Sequence, residues 1–228
     1  MRALLIAVCP VVLWLVAVFH LVFLVGFFRS YRQRKNNLYL FMGLITGGLF
    51  FDALILSLGS ALSGGSVLQT LSRFRYVFHG ALIPLIFVVC AYALGVGKKL
   101  RTAVWILTCV LAVCGIAEGF AIVLELQNFA GVCRYTSGAA TPAWAESVRS
   151  LLSFGTVLPL MASGIAVWIR QKTPALFLSG FLMFLFSALG PATGNMDLIF
   201  FISTFGEVCM VLFFRIYADG REKKKKAG

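Results

Sequence analysis

Seven apolar stretches follow one another along this chain, at about 3–28, 38–62, 76–96, 102–125, 150–169, 175–193 and 198–217. A helix that crosses the hydrocarbon of a bilayer needs about 20 apolar residues. Seven such helices take up roughly 140 of the 228 residues, which leaves no room for a soluble domain. The pattern therefore predicts an all-α fold, a polytopic membrane helix bundle with seven transmembrane helices over residues 1–220, followed by a basic tail at 221–228. Composition points the same way: 61% of residues are hydrophobic and only 12% charged, against roughly half and a quarter in soluble domains. The first stretch is far longer than the core of a cleaved signal peptide, and no A-x-A site follows it, so it is read as a membrane helix.

Basic residues orient the bundle. With seven spans the connections alternate sides, and 15 of the 20 Lys and Arg residues fall on one side, among them Arg29, Lys98, Arg170 and Lys223. The other side receives Arg2, Arg73, Arg75, Arg134 and Arg149. Positive loops stay cytoplasmic, so the N-terminus is expected outside and the C-terminus in the cytoplasm. The net charge of +12 is then an imprint of topology and implies no nucleic-acid partner. The expected partners are the lipid bilayer, anionic headgroups at the tail, at about 1 kcal/mol per basic residue, and a small solute or ion. The plasma (inner) membrane is the expected location. The ending Lys225-Lys226-Ala227-Gly228 resembles a dilysine retrieval signal and gives the endoplasmic reticulum as the alternative.

Several chemistries are excluded by residue type. The six cysteines form no C-x-x-C pair, and the two histidines are distant in sequence, so no metal or other cofactor is expected. No GxSxG, HExxH or phosphate loop occurs. A retinal protein needs a lysine in its last helix, where this chain carries Glu207. The D-R-Y run of G-protein-coupled receptors is absent from the inner end of the third stretch.

What remains is a handful of ionisable residues inside apolar sequence. A charge in a membrane is costly and marks a candidate site. At 1.5 Å rise per residue, Asp52 lies about 21 Å and Glu118 about 24 Å from the basic end of their helices, and Glu207 about 15 Å below Asp197. Arg75 and His79 share a face, one turn apart. Helices joined by short connections are spatial neighbours, so Asp52, Arg75, His79 and Glu118 are expected to share one pocket in the outer half of the bundle. Glu207, with Asn195 and Asp197 above it, joins them as a binding residue. His20 is expected to be a hydrogen-bonded packing residue. No catalytic residue is assigned.

The segment 127–148, rich in Gly, Ser, Thr and Ala, is expected to be a solvated connector. Gly180, Ser187, Gly190 and Gly194 recur at helical spacing as one small-residue face. A faint echo links Arg75…Pro84-Leu85-Ile86 with Arg149…Pro159-Leu160-Met161, as in transporters built from repeats. Together these features give a small transporter or channel-like protein with a polar cavity in the outer half of the membrane. A membrane-embedded lipid-modifying enzyme and a non-catalytic sensor are the alternatives.

Overall fold

The computed structural model describes residues 2–227, apart from the side chains of residues 2, 191, 196, 200 and 225–227. The helices are α1 (Arg2–Arg34), α2 (Asn37–Ala61), α3 (Ser66–Leu82), α4 (Leu85–Leu94), α5 (Lys98–Ala121), α6 (Ala143–Gln171), α7 (Ala175–Ala192) and α8 (Met196–Ala227). Strands β1 (Leu124–Phe129) and β2 (Val132–Ser137) form an antiparallel hairpin between α5 and α6. The fold is a helix bundle, as expected. Six helices are long and apolar enough to cross a membrane, α3 and α4 counting as one rod over Ser66–Leu94. The sixth of the seven expected stretches is a shorter apolar helix, Ala175–Gly190.

Burial follows from the membrane-like composition. Leu15, Val22, Ile106, Val113, Leu151 and Ile169 are each more than half exposed, far more apolar surface than a soluble domain presents to water. The interior is built from α2, α4, α6 and α8, with Tyr39, Ile45, Val88, Leu160 and Phe214 fully buried. Pro84 separates α3 from α4, because a proline removes one helical hydrogen bond and clashes with the preceding turn.

One end of the bundle carries the hairpin. The other carries the basic residues and is laced by polar contacts. There Tyr39 donates to Asp219 at 2.8 Å, Arg215 pairs with Asp219 at 2.7 Å, and Asn36 donates to Glu222 at 2.6 Å. Arg221 reaches the Tyr92 carbonyl at 2.8 Å. These bonds close the basic end. The residues expected to form a separate tail, from 221, continue α8 as helix to Ala227. The retrieval-like ending lies outside the described side chains.

Three boundaries depart from expectation with consequences for the site. The third span begins at Ser66, ten residues before the apolar run, so Arg73 and Arg75 lie within a helix and not at its mouth. The sixth helix likewise begins at Ala143, which carries Arg149 into α6. The expected solvated connector is instead the hairpin and the first turns of α6. Its turn, Ala130-Gly131, has φ of 48° and 80°, the two positive central angles of a tight two-residue hairpin.

Candidate functional site

Two close approaches set the site. On α5, Gly115 and Gly119 are one turn apart, and Gly80 faces them from α3. A Cβ on Gly80 would stand 2.4 Å from the Gly115 carbonyl oxygen, and one on Gly119 would stand 2.7 Å from the Val77 nitrogen. The backbones of α3 and α5 therefore touch, as small residues allow in membrane helices. The contact brings Glu118, the residue before Gly119, beside His79 and Gly80 at one cavity. Arg73 reinforces the same crossing. It donates to the carbonyls of Gly119 at 3.2 Å and Phe120 at 3.0 Å, and to that of Ile122, satisfying carbonyls left open at the end of α5.

Two positions along α3 from Arg73, Arg75 points elsewhere. Its Nη1 stands 3.5 Å from Asp52 Oδ1, with the two side chains 5% and 14% exposed. Its Nη2 donates to the Tyr135 carbonyl on β2 at 3.3 Å, and its guanidinium lies 4.6 Å from the Tyr76 ring centre. The Nε is buried with no hydrogen-bond partner among the described residues. Arg75 thus joins α2, α3 and the hairpin.

The hairpin is a lid on this end of the bundle. The Ala130 amide donates to the Asp197 carboxylate at 2.7 Å, which ties the turn to the start of α8. A Cβ on Gly59 would stand 2.0 Å from the Cys133 carbonyl oxygen, so β2 presses on α2. Gly131 meets Ile6 of α1. From beneath this lid Arg134 of β2 enters the site. Burial pulls its guanidinium down to about 10, Arg75 adds to the lowering, and Tyr76, Asp52 and Glu207 oppose it. It remains a cation at neutral pH.

These elements enclose a cavity of about 180 Å³ lined by Asp52, Arg75, Tyr76, His79, Glu118, Arg134, Arg149 and Ser153, with Gly80 and Leu152. The four residues expected to share a pocket line this one. Three guanidinium groups face two carboxylates. Glu118 is buried, makes no ion pair with Arg75, and has Oε1 without a hydrogen-bond partner among the described residues. Arg149 acts on its charge and also pairs with Glu146 at 3.0 Å.

Glu207 does not line the cavity. It sits behind it on α8, close enough for Asp52, Arg75 and Arg134 to act on its charge. Asp197 holds the hairpin turn and not the cavity mouth. His20 is fully buried. Neither ring nitrogen makes a hydrogen bond of acceptable geometry, although the Glu207 main chain lies beside it, so the expected hydrogen bond is missing. The small-residue face on α7 splits: Gly180 packs on Leu160 and Met161, Gly190 on Ile199, and Ser187 lines a separate cavity.

Arg134, Arg149, Tyr76 and Ser153 were not foreseen as cavity residues. The first two sit in polar sequence, where a charge raises no alarm. The echo between Arg75…Pro84 and Arg149…Pro159 was the available signal, since both arginines stand on the cavity, nine and ten positions before a proline. Among the described residues no group of His, Cys, Asp and Glu is arranged to hold a metal ion. No protein-family model matches the chain, and no curated protein matches it in sequence.

Proposed function

We propose that the protein is a small seven-span transporter whose cavity faces outward and takes an anionic group. The observation that carries this reading is the cavity itself, where Arg75, Arg134 and Arg149 converge with Asp52, His79 and Glu118. A charge kept away from water is expensive unless paired or used. Arg75 is paired with Asp52 and Arg149 with Glu146, and three guanidinium groups converging on one cavity offer an anionic group charge-assisted hydrogen bonds. Asp52, Glu118 and Glu207 are the groups able to take up or release a proton as it binds.

The orientation belongs to this reading. The 15-to-5 division of basic residues puts the hairpin end outside and the laced end in the cytoplasm. At about 1.5 Å per residue, the 18 residues of α7 reach about 27 Å, close to the hydrocarbon thickness of about 30 Å, a length that supports reading it as a seventh span. The plasma membrane is the proposed location, with the endoplasmic reticulum as the alternative. Proteoliposomes carrying an internal pH dye test the function with gradients of lactate, phosphate and decanoate. Uptake of one of them should fall at least ten-fold in Arg75→Gln and lose its proton coupling in Glu207→Gln. Fluxes equal to those of empty liposomes for all three would count against it.

A lipid-modifying enzyme is the second reading, favoured by an apolar cavity that shares His79 and Ser153 with the polar one. Ser153 is a poor nucleophile there, because its hydroxyl donates to the Arg149 carbonyl at 3.0 Å. His79 with a carboxylate would do the acid–base work. An altered lipid composition in a deletion strain, restored by wild type but not by His79→Ala, would favour it.

A further inference from the structure

At the basic end of the bundle, a pocket lies where the α6–α7 turn meets the last turns of α8. Arg170, Lys172 and Thr173 line it from the turn, and Arg221 and Lys224 from α8. Its volume is about 490 Å³, within the range of about 300–1,000 Å³ common for ligand sites. Four cations line it, and no carboxylate does.

The one-sided charge comes from a sorting of residues on α8. Asp219 and Glu222 are three positions apart and share a face. That face meets α1 and α2. Asp219 pairs with Arg215 and Arg34 and accepts from Tyr39, and Glu222 accepts from Asn36. Arg221 and Lys224, also three apart, turn toward the α6–α7 connection. Both are held there by main-chain carbonyls, Arg221 by that of Tyr92 at 2.8 Å and Lys224 by that of Gln171. Gln171 is itself fixed, donating to the Ala93 carbonyl at 3.1 Å and accepting from Tyr217 at 3.3 Å. Arg170 and Lys172 are exposed and form no ion pair among the described residues. Carboxylates thus neutralise one side of α8, and like charges are left facing one another on the other.

An aromatic surface continues from this pocket along the bundle. Trp168 stands one turn before Lys172, whose amide donates to the Trp168 carbonyl at 2.9 Å. Its ring stacks on Phe177 of α7 at 5.8 Å, and Phe177 stacks on Phe181 at 5.4 Å. Phe181 lies about 9 Å along α7 from its start at Ala175, at 1.5 Å rise per residue. Trp168 is 46% and Ile169 67% exposed. The rings therefore lead from a charged rim onto an apolar outer surface, the place where tryptophan marks a membrane interface.

We infer that this pocket binds an anionic phospholipid of the leaflet at the basic end, with its phosphate among Arg170, Lys172, Arg221 and Lys224 and an acyl chain along Trp168, Phe177 and Phe181. Charge complementarity selects the phosphate, which arginine meets with paired hydrogen bonds. Basic pockets between membrane helices suit such headgroups. The aromatic surface selects a lipid over a soluble phosphate. The sequence alone points to headgroups along the whole tail, whereas the fold brings two tail cations together with two from the α6–α7 turn. The site is remote from the charged cavity and does not depend on what that cavity takes.

Native mass spectrometry of the full-length protein, released from detergent micelles, tests it. Phosphatidylglycerol should bind at least ten-fold more tightly than phosphatidylcholine of the same chains. The double variant Arg170→Gln, Lys172→Gln should lose at least ten-fold in that affinity, and both positions are exposed, so folding is little at risk. Lys98→Gln with Lys99→Gln removes the same charge at the same end but outside the pocket, and should change affinity less than two-fold. Glycerol phosphate in about 100-fold excess should not displace the lipid. Phosphatidylglycerol with a diazirine on its acyl chain should label Phe177 and Phe181 above Ile106 and Val113, which are exposed on α5. Equal losses in the two double variants would overturn the pocket in favour of diffuse attraction. Equal binding of phosphatidylcholine would overturn the anionic head. Displacement by glycerol phosphate, or even labelling of α5 and α7, would overturn the lipid.

Discussion

Arg75 and Asp52 meet at 3.5 Å from two different helices, both largely withdrawn from solvent. The same guanidinium also holds the hairpin through the Tyr135 carbonyl. One side chain thus sets the distance between α2 and α3 and the seat of the lid above them. A pair of this kind is costly to break from one side only, because the survivor is left buried and unpaired.

Asp52→Leu and Arg75→Met should therefore each destabilise the protein by about 3–5 kcal/mol. The double variant should recover most of that loss while losing anion binding. Thermal unfolding of the four proteins in one detergent checks this. Additive losses would show that the two residues act separately.

Gly115→Val should separate α3 from α5. The new side chain meets the Gly80 backbone, which cannot yield as a flexible side chain would. Overpacking of this sort costs about 1–3 kcal/mol, and it also moves Glu118 away from His79. Gly97→Ala, at a position with open space, is the matched control and should change little. Unfolding temperatures of the two variants decide it.

One carboxylate ties the hairpin turn to α8. Asp197→Ala removes the acceptor of the Ala130 amide, which leaves that donor without its charged partner, at about 1.5–3 kcal/mol. Hydrogen exchange should quicken across residues 124–137 with little change in α2 or α4. Exchange unchanged in the hairpin would mean that the turn is held by other contacts.

At the opposite end, Tyr39→Phe should weaken the closure. The lost hydroxyl donates to Asp219 and accepts from Arg34 at 2.5 Å. The expected cost is about 1.5–3 kcal/mol, as for hydrogen bonds to charged groups. Unfolding measurements on the purified variant test it.

What could be read from the chain follows from where a charge is conspicuous. Asp52, Arg75, His79 and Glu118 stand out because apolar neighbours make them expensive, and all four line one cavity, Asp52 and Arg75 as a pair and Glu118 without an ion pair to Arg75. Arg134 and Arg149 are as close to that cavity, yet they lie in polar sequence that hides them. The hairpin was missed for a related reason. Its strands are six residues each and mostly exposed on β1, so they show little of the alternation that betrays a half-buried strand. Gly115 and Gly119 carry the small-residue spacing openly, but the longer row of small residues lies on α7, where the glycines serve different neighbours. Glu207 was drawn into the cavity by depth alone, and depth does not say which way a helix face turns.

The central claim is that the charged cavity is a ligand site open on the N-terminal side of the membrane. Accessibility of Tyr76→Cys tests it most directly, in protein whose six native cysteines are replaced by alanine. In sealed cells an anionic, membrane-impermeant thiol reagent should modify this position from the outside, and whichever of lactate, phosphate and decanoate is taken up should slow the modification at least five-fold. Modification only from the cytoplasmic side, or at a rate that all three leave unchanged, would contradict the account.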